Sequence, residues 1–135
     1  MKVVLDTNTL IQVVFTNKEP KIIWESFLNE RYTLCISNEI LMEYEEILNR
    51  IVPPDVTDLV LTTILSSENI EKVEPTFRFN LIQADYDDNK FVDCAIYANA
   101  TYIVTEDSHF NTLKETPYLK VSIKNIKEFM DILNK

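Results

Sequence analysis

With 135 residues, 46% of them hydrophobic and 26% charged, the chain has the makeup of one globular domain, residues 1–135, and is not a disordered polymer. Its net charge of −9 argues against a nucleic-acid coat protein, which needs many Lys and Arg for phosphate contacts, but leaves room for a protein whose acids gather around cations. No apolar run approaches the roughly 20 residues of a membrane span, and the strand-like start without a signal-peptide pattern predicts a cytoplasmic protein.

Residues 2–6 read as a buried strand, short, apolar and β-branched. Thr7 to about Phe15 turns into a helix, and Glu19-Pro20 opens a second one through about Asn29. Tyr32 to Ile36 is a second strand, and Ser37-Asn38 caps a third helix to about Ile51. Pro53-Pro54 stops that helix, and Asp55 to Ser67 forms a fourth. Ile70 to Val73 reads as a short extended piece, and Glu74 to Asp87 as a loop. Asp88 then caps an apolar helix through about Asn99. Thr101 to Val104 is a strand, Asp107 opens a short helical turn, Leu119 to Ile123 is a last strand, and Lys124 to Leu133 a terminal helix. Strands alternating with helices predict an α/β fold with a central, mainly parallel sheet of four to five strands covered on both faces. Ligands in such sheets gather at the carboxyl ends of the strands.

The absence of glycine excludes a P-loop and a glycine-rich dinucleotide fingerprint. Cys35 and Cys94 lie in apolar context and read as buried, reduced thiols. The single histidine, His109, rules out a His-rich zinc pattern and reads as a surface or packing residue. Ile22, Ile23, Trp24 and Phe27 fit either a core or a dimer interface.

Four acids carry the chemistry: Asp6, Glu43, Asp93 and Asp107. Asp6 closes the first strand and Asp107 follows the strand ending at Val104, which puts both on one rim if those strands are parallel neighbours. Either also serves as a helix cap. At about 100° per residue, Glu43 lies closer to the apolar arc of Ile40, Tyr44, Ile47 and Leu48 than Glu39, Glu45 or Glu46 do. Asp93 sits between Val92 and Cys94 in a helix that is apolar nearly all round, so it needs a partner or a metal. The alternative for Asp93 is a structural bond to neighbouring backbone or to a Lys. Anions at the edge of a core repel one another and call for a cation, for which a hard divalent metal on oxygen ligands is the natural candidate.

These residues resemble the PIN domain, a nuclease fold found in many toxins of toxin–antitoxin pairs. Val3-Val4-Leu5-Asp6-Thr7-Asn8 resembles the family's first motif, and Ser37 to Tyr44 its second, with Glu43 as the acid. Asp88-Asn89-Lys90-Phe91-Val92-Asp93-Cys94-Ala95 resembles the third, with Asp93 as the acid. Tyr102 to Asp107 resembles the fourth, with Asp107 as the acid and Glu106 where the family commonly has Gly. The similarity spans essentially the whole chain and implies a three-layer α/β/α fold. It also implies a ribonuclease dependent on Mg²⁺ or Mn²⁺, an RNA substrate, a cognate antitoxin and a homodimer. In that reading Asp6, Glu43, Asp93 and Asp107 hold the metal that activates a water, and Thr7, Asn8, Asp88 and Thr105 support them. Two other classes fit an acidic α/β chain: a non-catalytic nucleic-acid or protein binding module, and a phosphoacceptor receiver domain. The latter carries paired acids after its first strand, where Leu5-Asp6-Thr7 offers one.

Overall fold

The computed structural model describes residues 1–83, 85–116 and 119–135. Five strands alternate with helices: β1 (Lys2–Leu5), α1 (Thr7–Phe15), α2 (Lys21–Leu28), β2 (Thr33–Ile36), α3 (Asn38–Ile51), α4 (Pro54–Ser66) and β3 (Ile70–Lys72). A single 3-10 turn, Tyr86–Asp88, leads into α5 (Asn89–Ala98), followed by β4 (Tyr102–Val104), a 3-10 segment Ser108–Glu115, β5 (Ser122–Lys124) and α6 (Ile126–Leu133). The sheet order is β3-β2-β1-β4-β5, and every pairing is parallel. Val3, Val4 and Leu5 of the central strand are wholly buried, which explains its unbroken apolar run. Helix α5 packs against β1, β2 and β4, while α2 packs on α6 and α3 on α4.

Order along the sheet decides where a site can form. From β1 the chain moves outward through β2 to β3, then crosses back to place β4 on the other side of β1. The direction of winding therefore reverses between β1 and β4, and the crevice beyond their carboxyl ends is the usual place for a ligand. Asp6 leaves β1 and Thr105 leaves β4 at this junction, where the Asp6 amide donates to the Val104 carbonyl at 3.2 Å.

Several boundaries depart from expectation. The last strand is Ser122–Lys124, not Leu119–Ile123, because it pairs in register with Tyr102–Val104. The terminal helix starts at Ile126 and not Lys124: Asn125 caps it reciprocally with Glu128. The loop expected over 74–87, apart from Ala84, which lies outside the described residues, becomes a strap with the 3-10 turn at its end. Asn99, at φ 56°, ends α5 in the left-handed conformation that glycine usually supplies. Cys35 and Cys94 are buried and free, and burial pushes the Cys35 thiol up to about 12. Ile23, Trp24 and Phe27 belong to the core. Among the described residues no helix is long and apolar enough to cross a membrane.

Candidate metal centre

Parallel strands end at one rim, and a helix returning to start another such strand has its N-terminus there. The starts of α1 and α5 therefore meet the ends of β1 and β4. Between them lies a cavity of about 240 Å³ whose lining includes Asp6, Thr7, Asn8, Glu43, Asp85, Asp87, Asp88 and Asp107.

Asp6 is buried and doubly held. One oxygen caps α1 by accepting from the Thr9 amide at 3.1 Å, and the other accepts from the Thr105 hydroxyl. Burial raises its pKa, and the bonds from Thr105, Thr9 and Asn8 oppose that rise. The Thr105 hydroxyl also accepts from the Asp107 amide at 3.0 Å, so one side chain ties both acids to the end of β4. Asp107 caps the following 3-10 segment by accepting from the His109 amide at 2.9 Å. The wholly buried Tyr44 donates to the Leu5 carbonyl at 2.6 Å and locks α3 onto the end of β1. The adjacent residue, Glu43, is thereby held beside Thr7, whose hydroxyl donates to it. Lys90 donates to the other Glu43 oxygen at 2.8 Å.

Asp88 does not cap α5. It is already helical, at φ −72° and ψ −18°, and makes no side-chain cap bond. Asp85 starts the turn instead, accepting from the Asp87 amide at 3.0 Å. Asp88 is thereby released to face the cavity. Its Oδ2 is buried without a hydrogen-bond partner among the described residues. Burial, reinforced by Asp107 and Asp85, pushes its carboxyl up to about 7. An oxygen-only donor set with one buried, unpartnered carboxylate oxygen fits a hard divalent cation.

Asp93 lies elsewhere. It does not line this cavity. Five residues beyond Asp88 is about 500° of helix, so the two acids point about 140° apart. Asp93 is 1% exposed, and its Oδ1 accepts from the Phe79 amide at 3.2 Å, pinning the strap. Burial raises its pKa, against the Phe79 bond and the nearby Arg78. Part of the burial that made Asp93 conspicuous in sequence is this structural bond to backbone, while its Oδ2 is buried with no hydrogen-bond partner among the described residues. Nor does Glu106 crowd the cavity, since its Oε1 accepts from the Ile126 amide at 2.7 Å at the start of α6.

The PIN domain family model matches residues 2–109. The chain belongs to the PIN domain family. It is 29% identical over 147 aligned positions to an uncharacterized protein of Methanocaldococcus jannaschii, across all of this chain and 93% of that one. Among solved structures, this PIN domain is similar to VapBC2 from Rickettsia felis bound to a DNA fragment from their promoter. That match has TM-score 0.63 and 18% identity, over 93% of this chain and 98% of that one. VapBC-1 from nontypeable Haemophilus influenzae matches with TM-score 0.61 and 15% identity, over 94% and 99%. FitAcB from Neisseria gonorrhoeae gives 0.58 and 14%, over 93% and 98%. At these identities the likeness is one of fold, and the three-layer arrangement around a parallel sheet is that of a PIN domain.

Within the PIN domain, three residues have larger places than their sequence context suggested. Asp88 stands at the head of the buried stripe Phe91, Val92 and Ala95, spaced three, four and seven residues on. That spacing was a readable signal for an acid aimed at the strand ends. His109 is exposed, in keeping with a surface residue, and its Nδ1 lies 3.4 Å from Asp107 Oδ1 and 3.7 Å from Asp88 Oδ2 at the cavity's flank. With Asp85 and Asp88 it forms a group whose ligand atoms lie within 4.8 Å of one another. Lys90 had no local signal at all, because its partner is 47 residues away.

Proposed function

We propose that this PIN domain, a single unit over residues 1–135, is a ribonuclease dependent on Mg²⁺ or Mn²⁺ and the toxin of a toxin–antitoxin pair. The observation that carries the reading is the carboxylate cavity, in which Asp88 Oδ2 is buried with no hydrogen-bond partner among the described residues and His109 Nδ1 stands 3.7 Å from it. Asp6, Asp88 and Asp107 would hold the cation, with Glu43 joining directly or through water; Thr7, Asn8 and Thr105 support them. Asp93 is not part of this set. The bound ion supplies Lewis acidity to a phosphodiester and acidifies its water. The chain's own part is to hold the donors still: Thr105 anchors Asp6, Tyr44 anchors the helix bearing Glu43, and Asp85 sets the turn that frees Asp88. Membership of a nuclease family supports hydrolysis, and RNA is the substrate proposed. Fold likeness to VapBC structures supports an antitoxin partner, and a homodimer is part of the same proposal. The absence of a spanning helix among the described residues is compatible with action in the cytoplasm.

The test is cleavage of single-stranded RNA by the purified chain with Mg²⁺ or Mn²⁺, alongside Asp6→Asn and Asp88→Asn. The expected result is cleavage that EDTA stops and both substitutions abolish, with circular dichroism unchanged. Equal cleavage by both variants would refute the site. Tight RNA binding with no cleavage by the unmodified chain would favour a binding module on a PIN fold.

A further inference from the structure

Glu43 lines the carboxylate cavity, yet both of its oxygens are taken: Lys90 donates to Oε1 at 2.8 Å, and the Thr7 hydroxyl donates to Oε2. Lys90 is not part of the cavity wall. It approaches from the first turn of α5, and its side chain is 13% exposed against 26% for Glu43. Its ammonium also lies 5.6 Å from the centre of the Phe91 ring, which limits where it can move. A half-buried ion pair is screened little by solvent salt. Any cation reaching for Glu43 from the cavity therefore meets a carboxylate already neutralised from behind.

Resting on the metal-site reading above, we propose that Lys90 is an internal competitor of the divalent ion for Glu43 and so sets how tightly the cavity binds its metal. Asp6, Asp88 and Asp107 then form the carboxylate wall open to the cation, while Glu43 joins only when its bond to Lys90 gives way. Lys90 acts through Glu43; it is a positioning residue that tunes affinity. A residue that merely props Glu43 in place makes the opposite prediction, because losing a prop weakens binding.

The experiment measures Mn²⁺ alone, by electron paramagnetic resonance of the free ion, on the full chain and on Lys90→Met, Glu43→Gln and their combination. Removing a unit charge this close to a divalent ion is expected to tighten Mn²⁺ binding about tenfold in Lys90→Met. In the Glu43→Gln background the same substitution is expected to change the Kd less than about twofold, since nothing is left to compete for. Lys90→Arg keeps the charge and is expected to bind as the unmodified chain does. If Lys90→Met misfolds by circular dichroism, Lys90→Gln takes its place. Unchanged or weaker binding in Lys90→Met would overturn the proposal, and equal tightening in both backgrounds would reduce Lys90 to a distant charge and overturn it too. No saturable Mn²⁺ binding by the unmodified chain would remove the metal-site reading and this proposal together. Saturable binding that Asp6→Asn leaves intact would sink the site assignment separately, with the Lys90 comparison still decided by its own Kd values.

Discussion

The hydroxyl of Thr105 donates to the carboxylate of Asp6 across the β1–β4 junction, joining residues 99 positions apart. The same oxygen accepts from the Asp107 amide, so the spacing of two acids depends on one side chain. Replacing Thr105 by Val keeps the shape and removes the bond. A hydrogen bond to an ionised group contributes about 1.5–3 kcal/mol, so Mn²⁺ affinity should fall about tenfold or more. Thr105→Ser should retain most of it. Isothermal titration of both variants checks this, and equal affinity in Thr105→Val would show that Asp6 needs no such anchor.

Asp88 and Asp93 should separate cleanly. Asp88→Asn is expected to lose metal binding while its fold persists, because it removes a carboxyl that its neighbours oppose. Asp93→Ala is expected to keep metal affinity and lose about 1–3 kcal/mol of stability, since the Phe79 amide is left without its acceptor. Urea unfolding paired with Mn²⁺ titration reads both effects. The reverse pattern would return Asp93 to the site.

The raised carboxyl of Asp88 gives the metal-free protein a pH signature. Its ordinary value is 3.8, and in the fold it reaches about 7. The folded state then holds the proton more tightly than the unfolded chain, so protonation favours folding. That contribution is complete below the ordinary value and is lost as pH rises through about 7. The melting temperature in EDTA should therefore fall as pH is raised towards neutrality and flatten above it. Asp88→Asn should reduce that slope. Divalent affinity should run the other way, increasing as pH rises through about 7, because the ion must displace the proton. Thermal melts at stepped pH, with and without Mn²⁺, test both directions.

Asn89 staples the strap to α5. Its side chain donates to the Ile82 carbonyl and accepts from the Ile82 amide, each at 2.8 Å. Asn89→Ala strands two buried backbone groups and should cost about 2–4 kcal/mol. Because the strap leads into the turn bearing Asp85 and Asp88, Mn²⁺ affinity should weaken as well. Faster amide exchange across 79–88 would accompany the loss, whereas unaltered exchange there would separate the staple from the acidic turn.

The sequence by itself determined the strand and helix order, the parallel sheet, and the acids that follow β1 and β4. Those features depend on local chemistry: β-branched apolar runs, prolines and cap residues, and the period of buried positions along each helix. It also separated Glu43, half-buried, from the exposed Glu39, Glu45 and Glu46, since an amphipathic helix displays its inner face in its spacing. Tertiary structure alone placed Asp88 in the cavity wall and Asp93 against the Phe79 amide, because periodicity reports that a side chain is buried without naming what it is buried against. It alone brought Lys90 to Glu43, aimed Glu106 at α6, and moved the last strand to Ser122–Lys124. Each of these depends on a partner far away along the chain, and no local pattern encodes a contact whose other half is supplied only when the sheet closes.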